Sequence, residues 1–168
     1  MKINIRIILT GLLFVSLAFS GGLSKAEKTI QHYVDQHMEE AIGLVEKVVN
    51  INSGTLNING NKTVGNIFQA ELDQLGFNTY WVTYPETVKR SGHLFAEMRG
   101  GKGKKIVLIG HLDTVFELDH PFQKFTRKGD TAYGPGVSDM KAGDVSMIYA
   151  MKALDNVGVL KDLNLTLV

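Results

Sequence analysis

The 168-residue chain is 44% hydrophobic and 21% charged, a balance that supports a packed core and excludes a disordered tail, a collagen-like rod and a polytopic membrane protein. Lys2, Arg6 and Lys25 precede Glu27, which leaves 15 basic against 17 acidic residues in the remainder and no nucleic-acid-binding footprint. The absence of cysteine excludes disulfides, thiol nucleophiles, Cys-ligated zinc and a lipidated terminus, so any metal must be held by His, Asp or Glu.

Met1 to Arg6 carries two positive charges, and Ile7 to Phe19 is an apolar run broken only by Thr10, Gly11 and Ser16, the pattern of an export signal. As a helix this run spans about 20 Å, short of the roughly 30 Å hydrocarbon core, so cleavage is expected rather than a stable membrane anchor. Small residues at Ala18 and Ser20, and at Ser24 and Ala26, put the cut before Gly21 or before Glu27. Residues 1–26 are therefore read as a signal peptide and residues 27–168 as one folded body, exported to the periplasm or medium of a bacterium.

From Glu27 to Asn50, apolar residues at Ile30, Val34, Met38, Ala41, Val45 and Val48 draw one stripe on a helix. Asn50 to Lys62 is rich in asparagine and glycine and reads as a long loop. A second helix is predicted over Thr63 to Leu75, with Gly76 at its C-terminal cap. Strand chemistry follows at Asn78 to Tyr84, His93 to Met98 and Lys104 to Gly110, and the run Ile106 to Ile109, apolar on both faces, predicts a strand in the middle of a covered sheet. Phe125 to Tyr133 reads as a hairpin turning at Lys128-Gly129-Asp130. A third helix from near Asp139 to Leu154 and a strand from Leu163 to Val168 complete the pattern. Alternating helices and strands predict an α/β fold with helices on both sides of a mixed, mostly parallel sheet.

In open α/β sheets, ligands bind beyond the carboxyl ends of the strands. There the sequence reads Gly110-His111-Leu112-Asp113-Thr114, with His111 and Asp113 projecting to one side of an extended chain. A metal-binding imidazole donates its second N–H to an oxygen acceptor, a task open to Asp113. Tyr133 to Gly143 (YGPGVSDMKAG) is a glycine-rich turn into a helix; Ser138 is suited to capping it, and Asp139 to the first turn, where the helix dipole favours an anion. From spacing alone, a metal site and a buried polar network both remain open.

The stretches GHLDTVF (110–116), PF (121–122) and AYGPGVSDMKAG (132–143), with the 26-residue step from Asp113 to Asp139, resemble the M20 family of zinc metallopeptidases and within it the glutamate carboxypeptidase branch. The resemblance implies a three-layer zinc-peptidase-like catalytic domain. It implies that His111 is a ligand of one zinc, that Asp139 bridges two zinc ions, and that Asp113 is the catalytic acid beside the histidine. It also implies a general-base glutamate just after the next strand, an adjacent glutamate, a later acid and a distant histidine, none of which has a counterpart in these residues. A smaller domain for dimerisation and substrate closure is likewise without counterpart. The chain thus resembles the amino-terminal portion of such an enzyme, expected to hold at most one weakly bound zinc and to hydrolyse nothing efficiently alone. Thr114 and Pro135 match the glutamate carboxypeptidase branch, which implies a peptide or N-acyl amino acid substrate with a free carboxylate. The alternative is a non-catalytic secreted binding domain with a vestigial metal site.

Other polar features read as structural. His32 and His37 are spaced poorly for one metal, and His93 and His120 sit at element edges. Arg99 to Lys105 (RGGKGKK) fits neither the P-loop nor the dinucleotide spacing. Ser138 lacks the G-x-S-x-G context of a nucleophile, and Trp81 with Tyr80 and Tyr84 reads as sheet-face packing.

Overall fold

The computed structural model describes residues 22–168. The apolar run read as an export signal lies outside the described residues, and no helix among those described is long and apolar enough to cross a membrane.

The first predicted helix is two: α1 (Lys25–Gln36) and α2 (Met38–Val49). The chain leaves helical geometry at His37 (φ −107°, ψ 12°), whose main-chain N–H closes on Tyr33 and Val34 and whose ring stacks on Tyr33. A stripe of apolar residues at helical spacing continues across such a break, so periodicity alone does not reveal it. Ser24 and Glu27 form a capping box at the start of α1, so of the two expected cleavage points the one before Glu27 would remove this cap and the one before Gly21 would spare it. The apolar face of α2 buries Leu44, Val45, Val48 and Val49.

The asparagine-rich segment is shorter than predicted, because α3 (Ile58–Gln74) starts five residues earlier than the apolar pattern suggests. The Asn57 side chain accepts from Gly60 N–H as its cap, and buried Asn61 donates to the carbonyls of Gly54 and Asn57. Asparagine here fixes the turn through side-chain bonds to the backbone.

The sheet contains β1 (Asn78–Val82), β2 (His93–Arg99), β3 (Lys102–Leu108) and, at the end of the chain, β6 (Leu163–Leu167), in the order β1-β2-β6-β3. The mixed α/β class stands. Two of its three pairings are antiparallel, and only β3 with β6 is parallel, so the parallel share is smaller than expected. The β1–β2 connection is short enough for an antiparallel return, whereas β3 reaches β6 through a long crossover containing a helix.

Leu94, Ala96 and Met98 of β2 and Leu165 and Leu167 of β6 form one core with residues of α2, α3 and α4 (Ala142–Asn156). The described helices cover this face, giving two of the three layers that the sequence suggested. Contrary to the mid-sheet prediction, β3 is an edge strand among the described residues, with Ile106 47% and Val107 57% exposed. Its two apolar faces record the composition of a covered strand, but here one neighbour, β6, pairs with it.

Between β3 and α4, β4 (Thr126–Lys128) and β5 (Thr131–Tyr133) form the predicted hairpin. Arg127 grips Glu39 of α2 with two bonds, at 2.7 and 3.0 Å, and Phe125 N–H donates to Asn50. An irregular turn, Val137–Lys141, with non-helical backbone at Asp139 and Met140, leads from the hairpin into α4.

Candidate metal centre

His111 lies just past the end of β3, on a segment pinned from both sides. Gly110 N–H donates to Val168 at 2.8 Å, and Val168 N–H donates to Leu108 at 3.0 Å. On the other side, Thr114 N–H donates to Ser53, Thr55 N–H donates to Thr114, and the Ser53 hydroxyl donates to Leu112. These bonds continue the sheet pattern after the strand formally stops, so residues 110–114 behave as an extended ribbon.

The histidine ring is held at both nitrogens. Its Nδ1 lies 3.0 Å from the main-chain oxygen of Asp113, and its Nε2 lies 2.9 Å from Asp139 Oδ1. The Asp113 carboxylate is farther from Nδ1, at 3.4 Å, and receives the Thr55 hydroxyl on Oδ2 at 2.6 Å. The expected orienting acceptor is thus supplied by Asp113 chiefly through its backbone carbonyl, which fixes an imidazole tautomer equally well. Burial alone would lower the His111 pKa, but the hydrogen bonds the ring donates to the Asp139 carboxylate and the Asp113 carbonyl, with the two carboxylate charges, outweigh it and leave it raised.

Asp139 approaches from the other side of the cleft. It sits in the irregular turn Val137–Lys141 with extended geometry (φ −143°, ψ 92°), and its side chain is 85% exposed. The prediction that it occupies the first regular turn of α4, with Ser138 as cap, does not hold. Neither this turn nor α4 has a side-chain cap bond. Glycine is required at 136, where φ is +78° and an added Cβ would lie 2.7 Å from Thr114 Cγ2.

Three polar side chains beneath this surface were not singled out by sequence. Lys141 is fully buried, and its amine donates to the carbonyls of Val48 (2.8 Å) and Ile51 (3.0 Å). Burial pushes its pKa down to about 8 against the opposing charge of Asp144. Asp144, 6% exposed, fills the space above Gly110; burial pushes its carboxyl up to about 7, opposed by the charges of His111 and Lys141. Thr55 joins the asparagine loop to Asp113. Lysine and aspartate interrupt an apolar periodicity without announcing burial, so the pattern carried no signal for them.

Cavities of about 370 and 490 Å³ lie on either side of His111 and Asp113. Asp144 and Ile148 help to wall the first, and Phe116, Phe122 and Tyr133 the second, which also contains Asp139. A donor pair at 2.9 Å is close to the spacing of about 3.3 Å between two ligands of one tetrahedral zinc, so His111 and Asp139 fit as part of a metal shell. Among the described residues no group of three or more His, Asp or Glu side chains could hold a metal ion, so the fit extends to two donors. None of the other four histidines joins the His111–Asp139 pair: His32 is exposed on α1, His37 closes α1, His93 meets Tyr84 at the wall of the first cavity, and His120 packs on Phe116.

Residues 107–168 match the model of peptidase family M20/M25/M40. Carboxypeptidase G2 of Pseudomonas sp. (strain RS-16) is 33% identical over 158 residues, which cover 86% of this chain and 36% of that protein. The fold is similar to that of human carnosine dipeptidase 1, with a TM-score of 0.70 at 20% identity over 83% of this chain and 33% of that one. It is also similar to an M20 family metallo-carboxypeptidase, Sso-CP2, from Sulfolobus solfataricus, with a TM-score of 0.61 at 20% identity over 76% and 30% of the two chains. The chain spans about a third of the length of these relatives.

Proposed function

We propose that this chain, an M20-family sequence, supplies the His111–Asp113–Asp139 part of an exported zinc-dependent exopeptidase acting on the amide bond of a peptide or N-acyl amino acid. The observation that carries the reading is the convergence of His111 Nε2 and Asp139 Oδ1 to 2.9 Å from segments 28 residues apart. The M20 match, the carboxypeptidase and dipeptidase relatives and the apolar run at 7–19 support it.

His111 and Asp139 would hold the zinc. Zinc bound there supplies Lewis-acid polarisation of an amide carbonyl and lowers the pKa of water. His111 keeps its Nε2 side toward Asp139 because the Asp113 carbonyl takes Nδ1–H, and Thr55 steadies the Asp113 carboxylate. Hydrolysis also needs a proton acceptor beside the reacting water. On this reading, that base and the remaining ligands come from polypeptide outside these 168 residues, and the chain alone binds one zinc weakly. The alternative is a non-catalytic secreted binding domain with a vestigial metal site.

Zinc titration by calorimetry tests the metal assignment. His111→Ala and Asp139→Ala are each expected to weaken binding at least tenfold, and affinity unaffected by either substitution rejects it. Release of a free amino acid from an N-acyl amino acid by a longer form carrying a downstream Glu-Glu pair would separate the enzyme from the binding domain.

A further inference from the structure

We infer that Lys141 is a positioning residue that holds Asp139 against His111 before any metal arrives. The inference rests on the metal reading above only for its consequence in zinc affinity. Its geometric content concerns the metal-free chain.

The Asp139 carboxylate is 85% exposed and hydrogen-bonds His111, so its own side chain has little else to fix it. Its position must come from the turn that carries it. That turn is anchored by Lys141, two residues on, whose main-chain N–H donates to Gly136 at 2.8 Å and so closes the loop around Asp139. The side chain then runs beneath Gly136, where an added Cβ would stand 3.3 Å from both Lys141 Cγ and Cδ. At its far end the amine meets the carbonyls of Val48 and Ile51.

Those acceptors explain why the residue is a lysine. Val48 lies in the last turn of α2, where its carbonyl takes only a long 3.3 Å bond from Ile51 N–H, and Ile51 lies just beyond, at the negative end of the helix dipole. A buried ammonium donates to both at once and brings the compensating charge. Ile51 then leads into Ser53 and Thr55, which bond Leu112, Asp113 and Thr114. One buried side chain therefore ties the Asp139 turn to the same stretch of backbone that fixes the histidine segment, and the two donors share a common footing.

The test reads the ring ¹⁵N resonances of His111 in the metal-free chain, assigned with His111→Ala and compared with those of Asp139→Ala. Lys141→Met is expected to move the His111 resonances from the wild-type positions to those of Asp139→Ala. Resonances that stay at the wild-type positions in a folded Lys141→Met chain overturn the inference.

The chain has no cysteine, so Lys141→Cys offers a unique thiol for chemical rescue. After modification in denaturant and refolding, the aminoethylated thiol, which restores an ammonium at nearly the same reach, is expected to recover the wild-type resonances. The S-propylated thiol is expected not to. Equal recovery by both, or by neither, overturns the inference. So does a pattern in which only the aminoethylated chain folds, since Lys141 would then serve the whole fold.

Zinc affinity measured on the same proteins is expected to fall at least tenfold in Lys141→Met and to return within about threefold on aminoethylation. A wild-type chain that takes no zinc removes the metal reading and leaves the resonance test to decide the role of Lys141.

Discussion

The two donors that meet at 2.9 Å are held by unlike means. The His111 arm is a ribbon whose main chain is bonded to Val168 on one flank and to Ser53 and Thr55 on the other, and the ring is oriented by the carbonyl of Asp113. The Asp139 arm is an irregular turn with an exposed carboxylate, secured from below by a buried ammonium. Backbone ladders fix a residue wherever the sheet ends, whatever its side chain. An irregular turn needs a specific residue at each of several positions, so it tolerates less change.

Substitutions at the two arms should separate accordingly. The largest effect is expected for Gly136→Ala, which meets both the positive φ and the Thr114 methyl group. It should lower stability by about 3 kcal/mol in urea unfolding, and a loss under about 1 kcal/mol would show that the turn accommodates a side chain.

The next concerns pH. Asp144 titrates at 3.8 when free and near 7 when folded, with His111 and Lys141 as the charges facing it. Between these values the native chain binds the extra proton, so stability is fully present below about pH 4 and falls as pH rises through 7. Asp144→Asn should therefore stabilise the chain by about 2 kcal/mol at pH 8 and change it little at pH 4. A gain confined to acidic pH would reverse the sign and reject the burial argument.

The smallest effect is expected on the ladder side. Thr55→Val removes the hydroxyl's bonds to the Asp113 carboxylate and, at 3.3 Å, the Thr114 carbonyl but leaves the main-chain bonds intact, and should cost about 1 kcal/mol. If it matched Gly136→Ala, the contrast between the two arms would disappear.

The sequence showed the linear parts of this arrangement. His111 and Asp113 follow an apolar strand, and Asp139 follows a glycine-rich turn, so their order and neighbourhood were readable without coordinates. Their convergence depends on partners that leave no periodic trace: Lys141 and Asp144 interrupt an amphipathic helix start as any surface charges would, and Thr55 is one polar residue among many in an asparagine-rich segment. The element boundaries missed by pattern have equally local causes. His37 breaks a helix through its own ring and main-chain bonds, and Asn57 starts α3 through a side-chain cap that hydrophobicity does not register. The apolar run of β3 correctly announced a strand, but position within a sheet is a property of its neighbours.

That outer strand also has a bearing on how the protein behaves in a tube. Among the described residues, Ile106 and Val107 present oily surface beside a backbone row open to pairing, the recipe for copies to stick edge to edge, while Lys104 and Lys105 set like charges along the same margin. Dilute buffer lets that repulsion keep molecules apart. Concentrated salt shortens its reach to a few ångströms and leaves the greasy seam unguarded.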